Sequence, residues 1–346
     1  MFALPFIFAA HRKGANAAAL AMLTQCLVPW GAMAMGPMGS ADIASVDAIA
    51  VGQSAAAAIA WMLPPFLISF WWLTRDLGVS WFQRFADVAW LALLWLVLDL
   101  ISPYATPDAA GIAACAIVAG LRLVWDERPT AVQAFATLAR QWPYVALTLA
   151  LAGSRLVPEL GAITKAVALP TASNLPEFTP FHHASFWLLA LALLASRGKQ
   201  VPVAAAWSQS KRAIFAGAAF ILFGEALAQG GFAAALVSAY THIAGDLAIA
   251  VVPILGALGG MATGSALAAS AVNLPLTLPL MGDDPLPAIG AHVAVAAAFT
   301  AFSPARVTLA AGLSGLAGDA GAVYRELRPL VAMLCLAAAA LFAWGV

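Results

Sequence analysis

Charge is what this sequence has least of. Lysine and arginine number 16, aspartate and glutamate another 16, and together they make up 9% of 346 residues against a hydrophobic fraction of 63%. A water-soluble chain of this length covers its core with charge, and so few charges cannot cover this one. The formal net charge is zero, which excludes the concentrated basic surface that a nucleic-acid partner requires. Cysteine is scarce too. Cys26, Cys115 and Cys335 stand far apart within apolar runs, with no CxxC or Cys/His spacing that could hold zinc or a cluster. There is no GxSxG, no HExxH, no Walker loop and no pair of Asp-rich helical motifs for magnesium and diphosphate. No catalytic residue, metal or cofactor is therefore expected, and the chain does not read as an enzyme.

What is present is a series of long apolar runs separated by short charged clusters, with most of the 12 tryptophans near the run ends. That pattern belongs to a protein dissolved in a bilayer, where tryptophan settles at the interface. A helix needs about 20 apolar residues to cross the hydrocarbon, because its backbone polar groups must be satisfied internally. On that criterion the sequence predicts nine crossings, at 16–38, 48–73, 86–103, 107–125, 141–158, 183–197, 212–240, 286–303 and 327–345. At the N-terminus the apolar stretch Phe2 to Ala10 precedes His11, Arg12 and Lys13, the reverse of a secretory signal.

Two further apolar stretches do not read as ordinary spans. Residues 246–281 hold two short runs joined by Gly259-Gly260-Met261-Ala262-Thr263-Gly264-Ser265, flanked by Asp246, Asp283 and Asp284, with no basic residue inside. A hairpin entering and leaving on one face fits them. Residues 305–322 are similar, with Gly312, Gly315, Gly318 and Gly321 lowering helix propensity. With the N-terminus in the cytoplasm and both stretches re-entrant, all of the 16 basic residues except Arg155 and Lys165 fall on the cytoplasmic side. The Pro-rich external connection 159–182 then separates an N-terminal helical group, 1–158, from a C-terminal group, 183–346.

Few residues are placed to carry chemistry. Glu225 lies near the middle of an expected span, where a carboxylate either couples to protons or pairs, protonated, with a neighbouring helix. Gln229 shares its face one turn later. The Thr263-Gly264-Ser265 turn is the second candidate: half-helices meeting at a re-entrant tip aim backbone N–H groups and the positive helix end at mid-membrane, which suits an anion where no lysine or arginine lies deep. The same glycines also suit close helix packing. His292 and His242 read as satisfied hydrogen-bonding residues, His182-His183 lack a third metal ligand, and Arg122 and Arg155 at helix ends can snorkel.

Several stretches resemble the L-lactate permease family. Pro253-Ile254-Leu255-Gly256-Ala257-Leu258-Gly259 followed by Thr263-Gly264-Ser265 is similar to that family's "LGWLGVFLTGS" segment. Ser303-Pro304, then Gly318-Asp319 and Tyr324-Arg325, resemble its "ISPQS…GLVGKE…FR" close. Gln141-Trp142-Pro143-Tyr144 resembles "RAWSPF", Trp30-Gly31-Ala32-Met33 resembles "FGALG", and Phe2 to Ile7 resembles the end of "GFGTPVAI", in the same order along the chain. Where the family continues TGS with "DTSSN", this chain has Ala266-Leu267-Ala268-Ala269-Ser270, losing an acid and most hydroxyls.

The resemblance implies an all-α, polytopic helical membrane protein with an ion-transporter-like inverted-repeat architecture. Against the family the chain is short at its N-terminus, which would leave the first repeat incomplete. The implied function is a permease of the bacterial inner membrane for a small monocarboxylate, lactate or glycolate, in symport with a proton. Thr263, Gly264, Ser265, Ser303 and Gln229 would line the substrate site, and Glu225 would carry the proton. A permease for a less polar solute, suggested by the alanines at 266, 268 and 269, stays open, and so does a non-transporting membrane subunit completed by a partner or an oligomer.

Overall fold

A computed structural model of the chain describes residues 14–23, 34–169 apart from 79, 179–197, isolated positions between 203 and 226, 229–316 and 319–343. Their regular structure is helical. The chain runs through α1 (Ala15–Leu23), α2 (Met35–Ala44) and α3 (Ala48–Ile59), which continues across a 3-10 turn, Ala60–Met62, into α4 (Leu63–Leu73). Next come α5 (Trp81–Ile101), α6 (Pro107–Glu127), α7 (Ala131–Arg140), α8 (Trp142–Leu156), α9 (Pro158–Lys165) and α10 (Ala184–Ala195). The last group is α11 (Phe232–Ala244), α12 (Val251–Thr263), α13 (Ala266–Thr277), α14 (Leu286–Phe299), α15 (Pro304–Leu313) and α16 (Ala320–Ala343).

Polar residues between the apolar runs decide where helices begin. Asp47 caps α3 by accepting from Ala50 N at 3.0 Å. Ser80 with Gln83, and Thr130 with Gln133, form reciprocal capping boxes at the starts of α5 and α7. α7 buries none of its residues and leaves Val132, Phe135 and Leu138 exposed, the disposition of a helix lying in the membrane interface.

The core is built on α14. Every residue from Ala288 to Ser303 is buried, so this helix is enclosed by protein. It can be enclosed because alanine and glycine fill half of its 14 positions: Gly290, Ala291, Ala294, Ala296, Ala297 and Ala298 among them present no bulk, and neighbouring backbones come close. α12 and α3 make its largest contacts, with α13, α2 and α16 adding to them. α2 packs on α13, where Ser40 Oγ donates to Ser270 Oγ at 2.9 Å, and Ser54 Oγ of α3 donates to Leu286 O at 2.8 Å. Residues of 1–158 and of 183–346 thus share one core.

The expectation of nine crossings is corrected. Among the described residues three helices are long and apolar enough to cross a membrane, Ala48–Leu73, Pro107–Glu127 and Leu286–Thr308, or five if each of two bent pairs counts as one span. One pair, Trp142–Arg155 with Pro158–Lys165, bends by 92°; the other, Val237–Ile243 with Leu247–Thr263, bends by 120°. The physical reasons differ from run to run. α5 carries Arg84, Asp87 and Asp99, α16 carries Arg325, Glu326 and Arg328 within its first nine residues, and α10 has only 12 residues. The spans expected at 16–38 and 212–240 fall partly on residues outside the described set. An inverted-repeat arrangement does not follow from these elements. The coarser expectation of a helical chain suited to membrane insertion does agree with them, as do the exposed apolar side chains Phe82, Phe85, Leu96, Leu100 and Ile117. At the α4–α5 junction Arg75 lies over the Trp72 ring at 4.5 Å and Arg84 over Trp81 at 5.5 Å, an aromatic and basic girdle of the interfacial kind.

Candidate functional site

The apolar stretch around Gly259 to Ser265 folds as two short helices that turn back on each other. With the 3-10 turns that continue them they run Leu247–Thr263 and Ala266–Leu280, so each is roughly 25 Å long against a hydrocarbon core of about 30 Å. Their pairing is antiparallel. A Cβ on Gly259 would meet Asn273 and Ala269, and Asn273 Nδ2 donates to Leu255 O at 2.8 Å.

Local chemistry sets the turn. Gly264 ends α12 with φ +68°, the left-handed conformation that glycine adopts without penalty, and its N–H donates to Gly260 O at 2.9 Å. Ser265 then caps α13, its Oγ accepting from Ala268 N at 3.2 Å. Thr263 Oγ1 lies 2.7 Å from the Gly259 carbonyl oxygen and accepts from Ser265 N at 3.1 Å. The hydroxyls of Thr263 and Ser265 therefore hold the turn in shape.

The tip closes on the start of α15. A Cβ on Gly264 would lie 2.7 Å from Ser303 Oγ and 3.4 Å from Arg306 Nε, so glycine is required here for space as well as for φ. Ser303 is the N-cap residue of α15, followed by Pro304 at the first helical position. Its hydroxyl does not cap the helix. It is 1% exposed and has no hydrogen-bond partner, although a buried hydroxyl normally finds one. Arg306 Nη1 reaches Thr300 Oγ1 at 3.5 Å, and Tyr324 Oη donates to Phe302 O at 3.0 Å. Two helix N-termini, a partly buried guanidinium and a buried unsatisfied hydroxyl thus lie together, and each favours negative charge.

The expected site residues divide accordingly. Gly264 and Ser303 are in direct apposition, and Thr263 and Ser265 shape the turn. Gln229 is exposed and is not enclosed with them. Glu225 lies outside the described residues. Arg306 was read as a cytoplasmic flank, yet its side chain reaches the tip. The Ser303-Pro304 pair is the signal that could have found it, since a helix starting there places Arg306 in its first turn.

A second polar cluster gathers residues that the sequence presents only as helix-end charges. Arg155 does not snorkel. Its Nε and Nη2 donate to Asp108 Oδ2 at 3.1 and 2.9 Å, and the two side chains are 5% and 3% exposed. Thr106 Oγ1 donates to Asp108 Oδ1 at 2.6 Å. The pair joins the last turn of α8 to the first turn of α6, each charge at the helix end that favours it. Beside it, in the connection between α8 and α10, His182 Nδ1 lies 2.9 Å from Thr164 Oγ1. Burial first, then the positive charges of Arg155 and Lys165, pull the His182 imidazole down to about 4 from an ordinary 6.5. His183 is lowered by the same burial and by Arg155.

A folded-state value below the unfolded one means that the unfolded chain binds the proton more readily. The contribution of neutral His182 is therefore complete above pH 6.5 and is lost as pH falls toward about 4. Thermal unfolding across that interval should show a decline in stability that His182→Asn flattens. An unchanged decline in the variant would assign it to other groups.

Among the described residues no three His, Cys, Asp or Glu side chains cluster as a metal site requires. A cavity of about 330 Å³ opens at the α6–α7 elbow between Glu127, Gln133, Thr137 and Arg140, in a charged setting separate from the tip. Comparison of the chain with family models, with curated proteins and with solved structures finds no match in any of the three.

Proposed function

We propose that this chain is a secondary carrier of the bacterial inner membrane that moves a small organic anion, lactate or glycolate, together with a proton. The observation that supports it is the contact of Gly264 with Ser303: a broken-helix tip set against a second helix start, with a buried unpartnered hydroxyl and the Arg306 guanidinium beside it. In the packing described, the tip is closed on Ser303. A carboxylate enters as the tip lifts, receives the Ser303 hydroxyl and the guanidinium, and sits in the positive potential of both helix ends. The resemblance to lactate permeases supports the choice of substrate class. Residues 246–281 are re-entrant in this reading, and the N-terminus is cytoplasmic.

Uptake of labelled lactate into proteoliposomes tests the proposal. Ser303→Ala and Arg306→Gln each remove a donor to the bound anion, and hydrogen bonds to charged groups are worth about 1.5–3 kcal/mol, so Arg306→Gln should lower uptake by about 10- to 100-fold. Arg306→Lys keeps the charge without the planar fork and should fall between the two. No uptake above empty vesicles removes the function. Uptake indifferent to Arg306→Gln removes the site.

A further inference from the structure

One titratable side chain in the core is not used by the anion site. His292 lies in the middle of α14 and is fully buried. Its Nδ1 is 3.1 Å from the carbonyl oxygen of Val252 on α12, and its Nε2 has no hydrogen-bond partner. A carbonyl oxygen can only accept, so Nδ1 carries the hydrogen in this packing and Nε2 presents a bare lone pair. An apolar residue of similar size would fill the same space without leaving a polar atom unsatisfied.

The surroundings supply nothing to pair with a charge. α12, α13 and α3, all packed on α14, contain no Asp, Glu, Lys, Arg, His, Cys or Tyr along their lengths, and α14 itself carries only His292. Of the other two helices against it, α2 carries Asp42 near its C-terminal end, and α16 carries Tyr324, Arg325, Glu326, Arg328 and Cys335.

A single face of α12 runs from this imidazole to the tip. Val252, Gly256, Gly260 and Gly264 recur every four residues, which places them on one side of the helix. Val252 O meets His292 Nδ1, and a Cβ on Gly256 would lie 2.9 Å from the His292 carbonyl oxygen. A Cβ on Gly260 would run into the Ala296 carbonyl, and Gly264 abuts Ser303. Gly256 and Gly260 bring the two backbones into direct contact along this face.

From this geometry we infer that His292 is a proton-binding group of the carrier and that the Val252–Gly264 face of α12 links its protonation to the tip. The inference rests on the carrier reading given above. A proton taken from water onto Nε2 makes an imidazolium with a second donor and a charge, and the packing described offers neither an acceptor nor a counter-ion. The protonated form therefore belongs to a different arrangement of α12 on α14, in which Nε2 meets water or the bound carboxylate. Proton binding and tip position bias the same equilibrium, and coupling follows from that linkage.

Two assays on reconstituted wild type and His292→Gln separate this inference from the reading beneath it. Counterflow exchange of labelled lactate without a pH gradient reports the carrier alone. Accumulation driven by an imposed gradient reports coupling and should reach about tenfold per pH unit in the wild type for one proton per lactate. His292→Gln should retain exchange and lose accumulation. Accumulation unchanged in His292→Gln overturns the assignment and leaves the carrier intact, whereas no exchange by the wild type removes both. If His292→Gln fails to insert, the nitrogen spectrum of labelled wild type in lipid decides. A second proton on the His292 ring at acid pH with lactate present is expected, and a ring that stays neutral throughout overturns the assignment.

Discussion

Gly260→Ala should destabilise the protein by about 2–4 kcal/mol. The added methyl would meet the carbonyl oxygen of Ala296, with the Ala296 carbonyl carbon at 2.9 Å and its Cα at 3.1 Å. All three are backbone atoms of α14, which is enclosed on every side, so no side-chain rotation relieves the clash and the two helices must part. Gly120→Ala is the control. It lies within α6, its Cβ would have nothing within 4 Å, and it should gain about 0.5–1 kcal/mol from lost chain entropy alone. Unfolding in detergent, followed for both variants, gives the contrast. Equal and small effects would mean that α12 and α14 are not in backbone contact. Because the same face carries the tip, Gly260→Ala should also abolish uptake by whatever protein remains folded.

Asp108→Ala should be comparably severe. It leaves the Arg155 guanidinium, 5% exposed in the pair, buried with no carboxylate, and breaking a buried pair by removing one partner typically costs about 3–5 kcal/mol. Asp108→Leu combined with Arg155→Met removes both charges together and should recover most of the loss, since a well-packed apolar pair dispenses with two desolvated ions. Full-strength destabilisation in the double variant would show that the cost lies in the shape of the α6–α8 junction and not in an orphaned charge. The two charges act in opposite directions on His182, Arg155 lowering it and Asp108 raising it.

How much of this was legible depends on how local the determinant is. The turn at Gly264-Ser265 was readable because its causes are adjacent in sequence: a glycine that tolerates positive φ, followed by a serine that caps the next helix. Arg306 was misplaced because charge counting assigns a residue to a side of the membrane and says nothing about where a long side chain reaches once α15 is docked against the tip. The Asp108–Arg155 pair was missed because it joins residues 47 apart in sequence through the packing of α6 on α8. The count of crossings was too high because hydropathy does not mark where a helix ends: α8 stops after 15 residues and α10 after 12, each shorter than a full crossing. His292 was read as satisfied, and only its position opposite Val252 and Gly256 shows that one ring nitrogen is and the other is not.

The most direct test of the central claim is a contact measured on the bound anion itself. Lactate labelled with ¹³C at its carboxylate, bound to protein in lipid nanodiscs carrying ¹⁵N-labelled arginine, should show magic-angle-spinning dipolar coupling between the carboxylate carbon and a guanidinium. That coupling should vanish in Arg306→Gln and persist in a variant that alters another arginine, such as Arg128→Gln. Bound lactate with no arginine coupling, or coupling that survives Arg306→Gln, would place the anion away from the Gly264–Ser303 tip and contradict the account.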